Sequence, residues 1–96
     1  MFNANARWDR PLPQDDALPG QSIDVVVSFK RGGFFPLWFF LHGNKHIIKN
    51  VQFTWQEKKG IGVFDLFSVS DNNDTQYTIC FIRKSFLWRI IEKDSD

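Results

Sequence analysis

The sequence is poor in several features on which particular protein classes depend. It contains one cysteine, Cys80, so an internal disulfide framework and a paired-cysteine metal site are both excluded. Its longest apolar stretch, residues 34–41, is far shorter than a membrane span and contains Pro36. The first residues lack the charged and apolar segments of a signal peptide. We therefore expect a cytoplasmic protein that makes no contact with membranes.

Helix-favouring residues are also scarce, because Ala, Leu and Met together number only ten. Against them stand sixteen aromatic residues and fourteen Ile or Val, the residue types that suit a pleated, half-buried strand. A chain of 96 residues fits one domain. Three of the four prolines fall within residues 1–20, which show no periodicity. The sequence predicts an irregular N-terminal arm over residues 1–20 and a single β domain over residues 21–96.

Alternation of apolar and polar residues, interrupted by turn-forming residues, predicts six short strands. Their hairpin spacing is typical of an all-β antiparallel meander that curls into a small open or closed barrel. The predicted strands are 23–30, 37–42, 45–56, 63–70, 76–83 and 86–92.

Gly43 and Asn44 link the second and third predicted strands and are typical of a type II′ hairpin turn. This turn would place Leu41 opposite His46 and Phe40 opposite Ile47. Farther along the third strand the apolar residues change parity. A β-bulge near Lys49 and Asn50 would account for the change, because it shifts the register by one residue.

The hairpin contains the run Pro36-x-x-Phe39-x-Leu41-x-Gly43-x-Lys45, followed by Ile47 or Ile48, Val51 and Trp55. This run resembles a family of small uncharacterised bacterial β-domains with the pattern Pro-x-x-Phe-x-Trp-x-Gly-Arg. The resemblance implies a domain without assigned activity, and some members are appended to polymerase-associated DNA-repair proteins, which favours nucleic acid. Leu41 and Asn44 replace the Trp and Arg of that pattern. Trp38 and Phe40 occupy positions where the family usually has Arg, so the roles of those arginines cannot be assigned to this protein. The similarity covers residues 23–93 and continues through the later strands at Phe67, Val69, Asn73, Tyr77, Ile79, Phe81, Trp88 and Ile90.

The sequence gives no positive support for catalysis. His42 and His46 are expected on opposite faces of the hairpin, and Cys80 lies in an apolar strand typical of core. The glycine pairs at 32–33 and 60–62 lack the strand-to-helix context of a phosphate-binding loop. We expect no catalytic residue, no metal site, no cofactor and no small-molecule substrate.

Trp38, Phe40 and Ile47 are predicted to lie together on the outward face of the hairpin. A sheet face exposed to solvent normally carries polar residues, and this face does not. It must therefore be covered by another part of the chain or contact a partner. The sheet could close over it, or the arm carrying Phe2 and Trp8 could lie across it. The favoured interpretation is a non-catalytic interaction module that binds a protein partner or a second copy through this face, since exposed Trp and Phe anchor interfaces.

A nucleic-acid-binding accessory module is the alternative interpretation. Residues 30–59 carry six basic side chains and one acid, although the whole chain has a net charge of only +1. Small β-barrels hold single strands by stacking bases on aromatic rings while Lys or Arg contacts phosphates. The predicted contacts for this mode are Lys45, Lys49, Trp38 and Phe40.

Overall fold

The computed structural model describes residues 20–94 and shows a closed antiparallel barrel. Each strand pairs with its neighbours in chain order, and the first strand pairs with the last. The prediction of an all-β meander of six strands is confirmed, and the barrel is closed rather than open. The predicted arm over residues 1–20 lies outside the described residues, apart from Gly20. The strands are β1 Ser22–Lys30, β2 Gly33–Leu41, β3 Asn44–Lys59, β4 Gly62–Asp71, β5 Gln76–Ile82 and β6 Leu87–Asp94.

Two strands are longer by three or more residues than the sequence pattern indicated. β2 begins at Gly33 instead of Leu37, because the run that includes Phe34 and Phe35 pairs with the end of β1. β3 continues through the charged residues to Lys59, where a turn at Gly60 and Ile61 leads into β4. Charged side chains are compatible with strand at these positions because they lie at the exposed end of the long β3–β4 hairpin.

The predicted turn between β2 and β3 was wrong by one residue. His42 and Gly43 form the two-residue loop, and both have positive φ, 52° and 79°, as a type I′ turn requires. Leu41 therefore opposes Asn44, and Phe39 opposes His46. The observed register differs from the predicted one by two residues, so each side chain keeps its predicted face while gaining a different cross-strand neighbour.

The predicted bulge in β3 is confirmed. The β3–β4 register shifts between Ile48 and Asn50, which leaves Lys49 as the extra residue. A second shift, which the sequence pattern did not indicate, lies between Val51 and Phe53. The two bulges let this 16-residue strand turn from β2 onto β4 while Ile48 and Val51 both pack against the core.

The barrel interior is filled largely by aromatic and branched side chains. Phe34 packs edge-on against Phe67, Phe81 and Trp88, with ring centroids 5.6 to 6.2 Å apart. Each such side chain contributes on the order of 1.5–3 kcal/mol by leaving water. The fully or nearly buried set is Ile23, Phe39, Phe67, Val69, Tyr77, Ile79, Phe81, Trp88 and Ile90, with Val25, Val27, Phe34, Leu41, Ile48 and Val51 packed against it.

A second buried cluster lies on the outward side of β4 and β5. Phe64, Leu66, Cys80 and Ile82 alternate with the interior residues and form their own apolar group, with Ile91 packed against it. Cys80 has no exposed surface. Burial first, and then the charges of Glu57 and Asp65, raise the pKa of the Cys80 thiol to about 12.

Because Cys80 is the only thiol in the sequence, its reactivity reports on this second cluster. We expect 5,5′-dithiobis(2-nitrobenzoate) to label the native protein at pH 8 at least about a thousandfold more slowly than the unfolded chain, since thiolate is the reacting form. A control with Cys80→Ala and Asn73→Cys carries its thiol in the exposed β4–β5 loop and should label at the unfolded rate. Equal rates in the native wild type and this control would contradict the buried position of Cys80.

Candidate functional site

The outward sides of β1, β2 and the start of β3 form one apolar surface. Val26 lies beside Trp38, and Trp38 lies beside Ile47, so one row of side chains crosses all three strands. Phe40 occupies the next row of β2, and the β2 bulge adds Leu37. Five side chains of this surface are 38–46% exposed, and Trp38 is half-buried. We call the set the outer aromatic face: Val26, Phe35, Leu37, Trp38, Phe40 and Ile47.

The structure brings the three residues of the predicted partner-binding face together. Trp38, Phe40 and Ile47 all lie on the outer aromatic face, but the cross-strand neighbour of Ile47 is Trp38 instead of Phe40. Phe40 lies between Asp24 on β1 and Lys45 on β3. The apolar surface is therefore bordered by an acid on one side and a base on the other.

The residues predicted for nucleic-acid binding are brought together only in part. The Lys45 Nζ atom lies 4.3 Å from the centroid of the Trp38 ring, a cation–π contact that covers one face of that ring. Lys49 is the bulged residue of β3, and its Nζ atom lies 3.0 Å from Oδ1 of Asp74 in the β4–β5 loop. Lys45 thus shares a surface with Trp38 and Phe40, whereas Lys49 pairs with an acid from another loop.

The sequence did not indicate a polar cluster formed by His46, Asp71 and Tyr77, which lies at the end of the barrel that carries the β2–β3 turn. His46 points inward, and its ring stacks on Phe39 with centroids 5.0 Å apart and an interplanar angle of 8°. Its Nδ1 atom lies 3.1 Å from Oδ2 of Asp71 and 3.4 Å from the Tyr77 hydroxyl. The predicted hairpin register already placed His46 on the inward face, but opposite Leu41 instead of Phe39, and Asp71 was predicted to lie in a loop.

Asp71 is 1% exposed, yet its carboxylate is well satisfied. Its Oδ1 atom accepts hydrogen bonds from the backbone N–H groups of Asn73 and Thr75, at 2.9 and 3.0 Å. Burial alone would raise the pKa of Asp71, but the contact with His46 and these two N–H donors outweigh it, so the pKa lies below its ordinary value. The carboxylate thereby fixes the β4–β5 loop.

The pKa of Tyr77 is raised, first by burial and then by the negative charge of Asp71. Tyr77 therefore stays protonated at neutral pH. His46 and Asp71 resemble two members of a nucleophile-activating relay, but Cys80 belongs to the separate outward cluster. In residues 20–94 no group of three or more His, Cys, Asp or Glu side chains is placed to hold a metal ion.

Comparison with known proteins adds no relative. No family model matches the chain, and neither curated proteins nor solved structures give a match. The resemblance to the bacterial β-domain family therefore stays a prediction. Within the described range, no helix is long and apolar enough to cross a membrane.

The Asp71 carboxylate should stabilise the fold measurably. We expect Asp71→Asn, which keeps the size but removes the charge, to lower the free energy of unfolding at pH 7 by about 1–3 kcal/mol. Because the folded pKa is lowered, this contribution is complete above the unfolded pKa near 4 and is lost as pH falls through the folded value. Urea unfolding from about pH 5 to about pH 2 should show the difference between wild type and variant shrinking.

Asp74→Asn is the matched control, because Asp74 is 79% exposed and pairs only with the exposed Lys49 among the described residues. An exposed pair of this kind contributes roughly 0–1 kcal/mol, with weak dependence on pH. Equal losses of stability in the two variants would show that the buried contacts of Asp71 stabilise the fold no more than an exposed ion pair does.

Proposed function

We propose that this protein is a non-catalytic interaction module that binds a second copy of itself through the outer aromatic face. The observation that supports this most directly is the continuous exposure of Val26, Phe35, Leu37, Phe40 and Ile47 across three neighbouring strands. Soluble monomers rarely leave a contiguous apolar patch of this kind to water, and large ones mark interaction sites. Trp38 at the centre of the face is a typical interface anchor.

Charge placement favours a second copy over an unrelated protein. Asp24 and Lys45 flank Phe40 on opposite sides, one on β1 and the other on β3. If two copies pack these faces together about a two-fold axis parallel to β2, β1 of each copy lies over β3 of the other. Asp24 of each copy then faces Lys45 of its mate, while Phe40 packs on Phe40. Such self-complementarity is what a symmetric dimer interface requires.

The same observations make nucleic acid the weaker alternative. Lys45 already covers one face of Trp38, and Lys49 is paired with Asp74, so both predicted phosphate contacts have partners within the protein. Asp24, at the edge of the face, would repel a phosphate backbone. The net charge of +1 supplies little long-range attraction for nucleic acid and little repulsion between copies.

We also propose that the protein has no catalytic role and that it is located in a reducing cytoplasm. The thiol of Cys80, with its pKa raised to about 12 by burial and neighbouring acids, is a poor nucleophile. His46 and Asp71 are explained by their structural contacts with Phe39 and the β4–β5 loop. A lone buried cysteine suits a compartment in which thiols stay reduced.

Sedimentation equilibrium tests the dimer directly. We expect a species of twice the 11.3 kDa chain mass. Phe40→Ser should weaken the dimer by about 2 kcal/mol, roughly 30-fold, because it removes a central aromatic from the interface. Phe53→Ser is the matched control, since Phe53 is 69% exposed on β3 but lies away from the outer aromatic face. A monomeric wild type, or equal effects of the two substitutions, would reject the assignment.

A charge exchange tests the geometry of the dimer. Asp24→Lys or Lys45→Asp alone places like charges opposite each other across the two-fold axis and should weaken association, most strongly at low salt. Combining both substitutions restores opposite charges and should recover the dimer. A double variant as weak as either single variant would rule out this pairing. Single-stranded oligonucleotide binding that Lys45→Asp abolishes, with the wild type monomeric, would support the nucleic-acid alternative.

A further inference from the structure

The seam that closes the barrel is short and opens into a cleft. Among the described residues, β1 and β6 pair at two positions, Ser22 with Arg89 and Ile23 with Trp88. β1 then continues to Lys30, whereas β6 begins at Leu87. The strands separate beyond the Ile23–Trp88 pair and leave a half-open cleft of about 760 Å³. Sites for small molecules commonly have volumes of roughly 300–1,000 Å³.

The cleft is lined mainly by aromatic and branched side chains. Phe81 and Trp88, both buried, form its floor, with their ring centroids 5.0 Å apart. Phe29 and Phe86 lie at its mouth and are 75% and 76% exposed. An apolar molecule in the cleft would therefore contact core rings on one side and shield two exposed rings on the other. Phe34, Val25 and Val27 complete the apolar wall.

Positive charge is concentrated at this end of the barrel. The β1–β2, β3–β4 and β5–β6 turns all lie here, because the chain is an up-and-down meander. Among the described residues, these turns and the strand ends beside them carry two acids, Glu57 and Asp65, and Asp65 is held by Arg83 at 2.6 and 3.1 Å. The basic residues of the same region are Lys30, Arg31, Lys58, Lys59, Arg83 and Lys84.

Arg83 is the basic residue on the cleft lining, and its guanidinium is paired with Asp65, while the other basic residues of this end lie beside the lining along the chain. Lys30 and Arg31 directly follow Phe29 along the chain, and Lys84 directly follows the lining residue Arg83. Asp24, the acid on the lining, lies at the opposite, closed end of the cleft beside Ile23. The arrangement is an apolar cleft at the end of the barrel where the turns carry an excess of basic residues.

We propose that this cleft binds a small amphipathic anion, an apolar chain or ring system that carries one carboxylate or phosphate monoester group. The apolar part lies against Phe34, Phe81 and Trp88, and the anionic group lies at the mouth near Lys30, Arg31 and Lys84. Binding combines burial of apolar surface with charge-assisted hydrogen bonds at the entrance. This site is distinct from the outer aromatic face and does not depend on dimer formation.

Isothermal titration calorimetry with matched probes tests the proposal. Dodecanoate and dodecyl phosphate supply the two anionic groups, while 1-dodecanol and dodecyltrimethylammonium carry the same chain with no charge or with a positive charge. Below micelle-forming concentrations, we expect saturable binding of one or both anions at one site per chain, and at least about tenfold weaker binding of the other two probes. The stronger of the two anions identifies the preferred head group.

Two variants separate the apolar and charged parts of the site. Phe29→Ala removes an exposed ring at the mouth and should weaken binding of either anion severalfold, whereas Phe53→Ala, an exposed ring elsewhere, should not. Lys30→Glu combined with Arg31→Glu should weaken binding about tenfold or more. Lys49→Glu combined with Lys93→Glu makes the same change in net charge away from the turns of this end and should leave binding unchanged.

Three outcomes would overturn the proposal. They are absence of binding by both anions, equal binding of 1-dodecanol, and equal loss in the Lys30/Arg31 and Lys49/Lys93 variants. Salt-sensitive binding of oligo(dT) that is lost in the Lys30/Arg31 variant, with neither anionic probe bound, would also overturn it by assigning this end to nucleic acid. Because Phe40→Ser lies outside the cleft lining, it should leave dodecanoate binding intact even if it abolishes the dimer.

Discussion

The limited interior of a six-stranded barrel is the constraint on which the rest of this structure depends. Side chains alternate between the two faces of every strand, so only about half of the strand residues can point inward. The interior is filled by fifteen apolar residues, counting those packed against the buried set. A sequence with sixteen aromatics and fourteen Ile or Val has more apolar side chains than that space accepts. Within residues 20–94, part of the surplus forms two outward surfaces, while Phe29, Phe53 and Phe86 are exposed elsewhere. The β4–β5 surface around Leu66 and Cys80 is buried, whereas the outer aromatic face around Phe40 is exposed.

Local alternation was sufficient to predict the fold class, because it depends on which residues share a face and not on which residues are opposite. For the same reason, the error of two residues in the hairpin register did not change the outward positions of Trp38, Phe40 and Ile47. The turn was misassigned because the alternation pattern extended the second strand through His42, whereas His42 adopts a left-handed φ of 52° and forms the loop with Gly43. The bulge at Lys49 was predictable from a change of parity. The second bulge at Gln52 was not, because Val51, Phe53 and Trp55 alternate without a break in the sequence, although Val51 packs against the core and Phe53 is exposed.

Contacts between distant parts of the chain explain what sequence reasoning missed. His46 and Asp71 are 25 residues apart, and their contact depends on the β2–β3 register together with the β3–β4 register. Neither residue has a local signal of pairing, since a histidine in a strand and an aspartate before a loop are both common. The cleft has the same origin. Its walls come from β1, the start of β2 and the β5–β6 turn, and its existence depends on where the barrel closes. Barrel closure is a property of the whole sheet, so no single segment of sequence predicts it.

The two proposed binding surfaces share β1, and strand alternation keeps them separable. Val26 points outward beside Trp38, while its neighbours Val25 and Val27 line the cleft. A polar substitution at Val26 therefore disturbs the outer aromatic face, and one at Val27 disturbs the cleft, although the two positions are adjacent. Asp24 is the exception, because it borders both surfaces. If the charge of Asp24 pairs across a dimer interface, its field at the closed end of the cleft changes as well. Because Asp24 lies at the closed end of the cleft and the anionic group lies at the opposite mouth, anion binding and self-association stay separable.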